Sequence, residues 1–184
     1  MGRKRKIDFL IENYPDERLI FRFYPRRSSC HSFDKIPPTS WDEVYKVYYS
    51  YAIIKQYKFN EDDKWESVIM FKEDCDECSI IDEVGIRCLE LAKGYETFER
   101  DDGERIPLLD KVILPFGMGT NWTISKRVET DFEDETIKHT YYNFTLFNYD
   151  NRGFRFTLKE ENMKNFGEYL CECCEYMLQY GESI

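Results

Sequence analysis

Residues 142–177 read YNFTLFNYDNRGFRFTLKEENMKNFGEYLCECCEYM, and a change of period inside this stretch decides the fold. Tyr142, Phe144 and Leu146 stand at every second position, and Phe154, Phe156 and Leu158 do the same after a turn at residues 150–153. A period of two puts each set on one face of a strand, so the two runs predict antiparallel partners. Beyond them the spacing lengthens. Met163, Phe166, Leu170, Cys173 and Met177 recur in steps of three and four, which is the stripe of an amphipathic helix. Thr157 and Glu160 have the spacing of a capping box, placing this helix at about residues 158–180. A hairpin leading into a long amphipathic helix predicts an α+β fold, an antiparallel sheet with helices packed on one face.

Upstream, the same rules place a second helix at about 79–93. Ser79 and Asp82 open it, Ile81, Val84, Cys88 and Leu91 form its apolar face, Gly94 stops it, and an acidic loop is expected to follow to about Asp110. Leu19, Phe21 and Phe23 alternate in a strand over residues 18–24, which Pro25 is expected to end. A loop through residues 26–38 follows, and Ser40 and Glu43 signal a short helix. Residues 48–59 and 65–71 read as a hairpin around an acidic turn. Val44, Tyr48, Tyr51 and Ile54 share helical spacing, so a helix over 41–57 competes with that reading. Residues 111–128 suggest one or two strands broken at 115–119. With 184 residues and 42% hydrophobic content, a single α+β domain spanning 1–184 is expected.

Net charge is −10 and unevenly placed. Residues 1–60 carry 12 Lys/Arg against 7 Asp/Glu, and residues 61–184 carry 14 against 29. The acids gather in runs at Glu61, Asp62 and Asp63, at Glu99, Asp101, Asp102 and Glu104, and at Asp131, Glu133, Asp134 and Glu135. Such a field repels nucleic acid and attracts basic surfaces. There is no apolar run of the ~20 residues that cross a bilayer, and the basic N-terminus lacks the apolar core of a signal peptide. A cytoplasmic protein without membrane contact is expected, its seven cysteines held as thiols.

Little in the chain resembles catalytic machinery. Cys75 with Cys78 and Cys171 with Cys174 share the C-x-x-C spacing, and four thiolates would suit zinc. Each pair is embedded in carboxylates, however, which oppose thiolate formation. Cys173 lies on the apolar stripe, where a thiol packs as a small hydrophobe. Core packing is therefore expected, with no metal and no cofactor. His31 and His139, the two histidines, read as residues of no special role. Gly117 and Gly119 precede a strand-like run, so no helix N-terminus is offered to a phosphate. Asp62 and Lys64 sit in a turn too mobile for nuclease chemistry.

These exclusions leave a non-enzymatic, acidic binding protein that docks on a basic partner, most plausibly a nuclease or other nucleic-acid-processing enzyme. It would present the carboxylates of the three acidic runs where phosphates would bind, with nearby Tyr and Trp as apolar anchors. In composition alone, the chain is similar to phage inhibitors of host defence nucleases, of the anti-CRISPR and anti-restriction kinds, and to immunity proteins. The alternative is a single-stranded nucleic-acid binder, alone or as a homodimer, using Arg22, Tyr24, Arg26 and Arg27.

Overall fold

The computed structural model describes residues 7–14, 17–29, 45–75, 79–113, 120–148 and 152–180. The chain forms two compact units, Met1–Cys78 with Cys173–Ile184, and Ser79–Glu172. The architecture is α+β and mostly strand, as the change of period implies. Three antiparallel sheets carry the strands. No described helix is long and apolar enough to cross a membrane.

The first unit contains β1 (Ile7–Tyr14), β2 (Glu17–Ser29), β3 (Tyr45–Tyr57) and β4 (Glu66–Cys75), paired in that order. The register Phe21↔Ile53↔Phe71 and Phe23↔Tyr51 aligns large apolar side chains across the sheet. Phe21 stacks on Tyr51 at 5.3 Å, and both are buried. Ile20, Ala52 and Ile54 are buried on the other face, with Tyr24 packed against them. Two buried faces explain the near-continuous apolar runs of β2 and β3, which blur their alternation. This is why residues 41–57 also fit a helix; over 45–57 they are strand.

Pro25 does not end its strand: β2 continues to Ser29, with Pro25 opposite Tyr49. Among the described residues the β1 pairing stops at Ile7↔Phe23. Among the described residues Pro25 is paired on the β3 side only, and a missing N–H is tolerated where the other side is unpaired. β1 itself carries no clear alternation and was not foreseen. On the far edge, Met70 is an extra residue between the pairs Ile53↔Phe71 and Ile54↔Ile69. Such a bulge twists an edge strand and discourages another strand from adding to it.

In the second unit, α1 (Ser79–Ala92) buries Ile81, Val84, Cys88 and Leu91 as the spacing requires. Gly94 ends it at φ 85°, its N–H donating to the Leu91 carbonyl at 2.9 Å. The segment expected as an acidic loop contains a short hairpin, β5 (Thr97–Glu99) and β6 (Arg105–Pro107). β7 (Asn121–Thr130), β8 (Lys138–Phe147) and β9 (Gly153–Lys159) form the third sheet. Trp122, Ile124, Tyr142, Phe144, Leu146, Phe156 and Leu158 fill its buried face. Phe166 of α2 (Met163–Tyr180) meets Phe144 and Phe156 edge-on at 5.5 and 5.8 Å.

The capping box at Thr157 is not formed. Thr157 lies in β9 and its hydroxyl donates to Asn143 Oδ1 at 2.7 Å. A 3-10 turn at Glu160–Asn162 precedes α2, without a side-chain cap. The strand here claims the threonine that the motif assigns to the helix. The short helix expected from Ser40, the loop containing His31, the first half of the turn at 150–153 and the glycines at 117 and 119 lie outside the described residues.

Candidate functional site

Each of the three acidic runs folds as the tip of a β-hairpin. Between β3 and β4, Asp63 Oδ2 accepts both the backbone N–H and the side-chain amide of Asn60, each at 2.9 Å. Between β5 and β6, Asp102 Oδ1 accepts the Glu104 N–H at 3.0 Å, and Gly103 supplies the positive φ the turn needs. Between β7 and β8, Asp131 Oδ1 accepts from the amides of Glu133 and Asp134 at 2.8 and 3.1 Å. Asp134 Oδ1 there accepts the N–H and hydroxyl of Thr136 at 2.9 and 2.6 Å. Short acids stand at these positions because their carboxylates close the turn locally.

This geometry divides the eleven acids. Asp63, Asp102, Asp131 and Asp134 hold their own turns. Glu99 faces Arg105 and Glu104 faces Arg100, both at 3.6 Å and exposed, and such pairs contribute little. The side chains of Glu61, Asp62, Asp101, Glu133 and Glu135 are exposed and make no hydrogen bond or ion pair among the described residues. Those five are the tip carboxylates that neither the turns nor ion pairs use among the described residues.

Each tip also carries an exposed phenylalanine: Phe59 at 77%, Phe98 at 43% and Phe132 at 102% of full exposure. These were missed, because the anchors were sought among Tyr and Trp. Trp65 is instead occupied, with the Arg18 guanidinium 4.1 Å and the Lys58 ammonium 5.4 Å from its ring centre. The usable signal was the placement of each Phe within two residues of an acidic run.

The β7–β8 tip has a pH dependence that follows from its bonds. His139 Nε2 lies 3.1 Å from Asp131 Oδ2. The hydrogen bond to His139, then those from the Glu133 and Asp134 amides, lower the Asp131 pKa below the ordinary 3.8. Thr136 lowers that of Asp134 through its hydroxyl and its amide. A depressed carboxyl pKa stabilises the fold above the ordinary value, and that contribution is lost as pH falls through the lowered one. The Glu133 and Thr136 amides should therefore stay protected from exchange at pH 5 and lose protection as pH falls below the ordinary carboxylate range, ahead of the sheet amides.

Of the alternative basic face, Arg22 and Tyr24 have described side chains, and Tyr24 is half-buried against Ile20, Ala52 and Ile54. Arg22 donates to both oxygens of Asp8, at 2.8 and 2.7 Å. Phe21 and Phe23 are fully buried and offer no ring to a base. Arg26 and Arg27 lie on β2, but their side chains are outside the described set, as are residues 3–6.

Of the proposed zinc ligands, Cys171 is half-buried and Cys174 buried, while Cys78 and the Cys75 side chain are outside the described set. Cys173 is buried in register with Leu170 and Phe166, and Cys174, expected on its flank, is nearly as enclosed. Burial, with Cys171 nearby, pushes the Cys88 thiol pKa up, so this thiol is not a nucleophile. Among the described residues no group of His, Cys, Asp and Glu is placed to hold a metal. Comparison with protein-family models, curated proteins and solved structures gives no significant match to this chain.

Proposed function

We propose that this protein is a non-enzymatic binding protein that docks its acidic hairpin tips on a basic partner. The supporting observation is the pairing, at every acidic tip, of an exposed phenylalanine with carboxylates its own turn leaves unused. Carboxylates steer a basic surface into contact and set register. An exposed aromatic ring adds an apolar anchor beside them. Rigid turns reduce the entropy lost on association. A strongly basic surface is most often one built for phosphates, so the partner proposed is a cytoplasmic nuclease or another nucleic-acid-processing enzyme. Occupation by carboxylates would block its substrate.

Phe132→Ala separates this reading from a merely solvated surface. A fully exposed ring contributes little to stability, so Tm should change by less than ~2 °C. In capture from extract of the native host followed by mass spectrometry, the variant should retain at most about a tenth of a nucleic-acid-binding protein held by the unmodified chain. Equal retention by both would remove the anchor role. A gel shift with single-stranded oligonucleotide at low salt tests the alternative, and no shift at micromolar protein eliminates it.

A further inference from the structure

An open cleft of about 370 Å³ lies between α1 and the β5–β6 hairpin. Asp82, Glu83, Ile86 and Arg87 form one wall, sharing a face of the helix at steps of one, three and one. Phe98 and Ile106 form the other, as a cross-strand pair on one face of the hairpin, with Leu108 and Arg100 completing the lining. Leu108 is 1% exposed and makes an apolar floor.

The hydrogen-bonding capacity of the lining is unequally used. Arg87 is 8% exposed. Its Nε and Nη2 donate to Glu83 Oε1 at 3.2 and 2.5 Å, and its Nη1 donates to the Pro107 carbonyl at 3.4 Å. Arg100 faces Glu104 at 3.6 Å. Both cations therefore have acids beside them. No hydrogen bond or ion pair engages Asp82 among the described residues, and Glu83 Oε2 accepts none. Asp82 and Glu83 Oε2 are thus the acceptors of the lining without a donor among the described residues.

We infer that this cleft receives one lysine or arginine side chain of the basic partner. The methylenes would lie on Ile86, Ile106 and Leu108, the head group would reach Asp82 and Glu83 Oε2, and the Phe98 ring would face the stem or the cation. The volume is at the small end of ligand sites and suits one side chain. The inference rests on the proposed function and names the contact chemistry at its β5–β6 tip.

The test is an amide-resolved NMR titration of the full chain with N-acetyl-arginine amide and N-acetyl-lysine amide, with N-acetyl-leucine amide and N-acetyl-glutamate amide as controls. Either cation should shift the Asp82, Ile86, Phe98 and Leu108 amides in a saturable way. Asp82→Asn and Phe98→Ala should each weaken that binding about fivefold or more. Shifts spread equally over all acidic tips, tighter binding of the leucine or glutamate derivative, or unchanged affinity in both variants would overturn it. None of those outcomes touches the broader reading, which is tested separately by partner capture with hairpin-tip variants.

Discussion

Phe144→Ala should lower the stability of the protein by about 3–5 kcal/mol and its Tm by roughly 10–15 °C. Phe144 is fully buried, stacks on Phe156 at 4.8 Å and meets Trp122 and Phe166 edge-on at 6.4 and 5.5 Å. Deleting the ring removes its own burial and leaves three rigid aromatic neighbours around a cavity they cannot close. Phe144→Leu should cost roughly a third as much, since most of the volume stays. Thermal unfolding followed by circular dichroism checks both. A fall below ~3 °C for the alanine variant would contradict this account of the β7–β9 core.

Gly167→Ala should destabilise by about 1–3 kcal/mol, although alanine is the better helix former by ~1 kcal/mol in an unhindered helix. A Cβ at residue 167 would stand 2.9 Å from the Gly85 carbonyl oxygen and 2.9 Å from Leu89 Cγ. The first of these is backbone, so relief requires α1 and α2 to separate. Gly85→Ala should be milder. Its Cβ would stand 2.9 Å from Cys171 Sγ, the end of a side chain that can turn away, and 3.1 Å from the Gly167 carbonyl. The order Gly167→Ala worse than Gly85→Ala, read in urea unfolding midpoints, is the discriminating result. A gain in stability at residue 167 would show that the helices do not approach through these glycines.

Where one face of an element is buried and the other wet, the sequence period was sufficient. That is the case for α1, β8 and β9, and for α2 over Met163–Cys173. It was insufficient in β2 and β3, whose two buried faces erase alternation and leave helix and strand spacing both satisfied. It also failed for the β5–β6 hairpin, whose strands of three residues are too short for a period to register. The capping motif misplaced the start of α2 because Thr157 finds a partner across the sheet, a contact fourteen residues away in sequence.

Of the candidate site, the acidic runs were legible as composition and their hairpin tips as turn chemistry. Their division was not. Whether an aspartate closes its own turn, as Asp63 and Asp131 do, or projects unused, as Asp62 and Asp101 do, depends on backbone amides that only the folded turn orients. The cleft beside Phe98 was equally invisible, because its walls come from α1 and from a hairpin read as loop.

On the function proposed, the unused tip carboxylates hold a basic partner. Asp62→Asn, Asp101→Asn, Glu133→Gln and Glu135→Gln, with Glu61→Gln, combine into one variant that leaves the turn-closing acids in place and should fold with unchanged Tm. Capture from extract of the native host at 0.05 M and 1 M salt, by the unmodified chain and by this variant, is the direct measurement. The account predicts a basic nucleic-acid-processing enzyme retained by the unmodified chain at low salt. It should be released at 1 M, where the Debye length is only ~3 Å, and be lost from the variant at either salt. A partner held equally by both proteins, or held at 1 M salt as firmly as at 0.05 M, would contradict it.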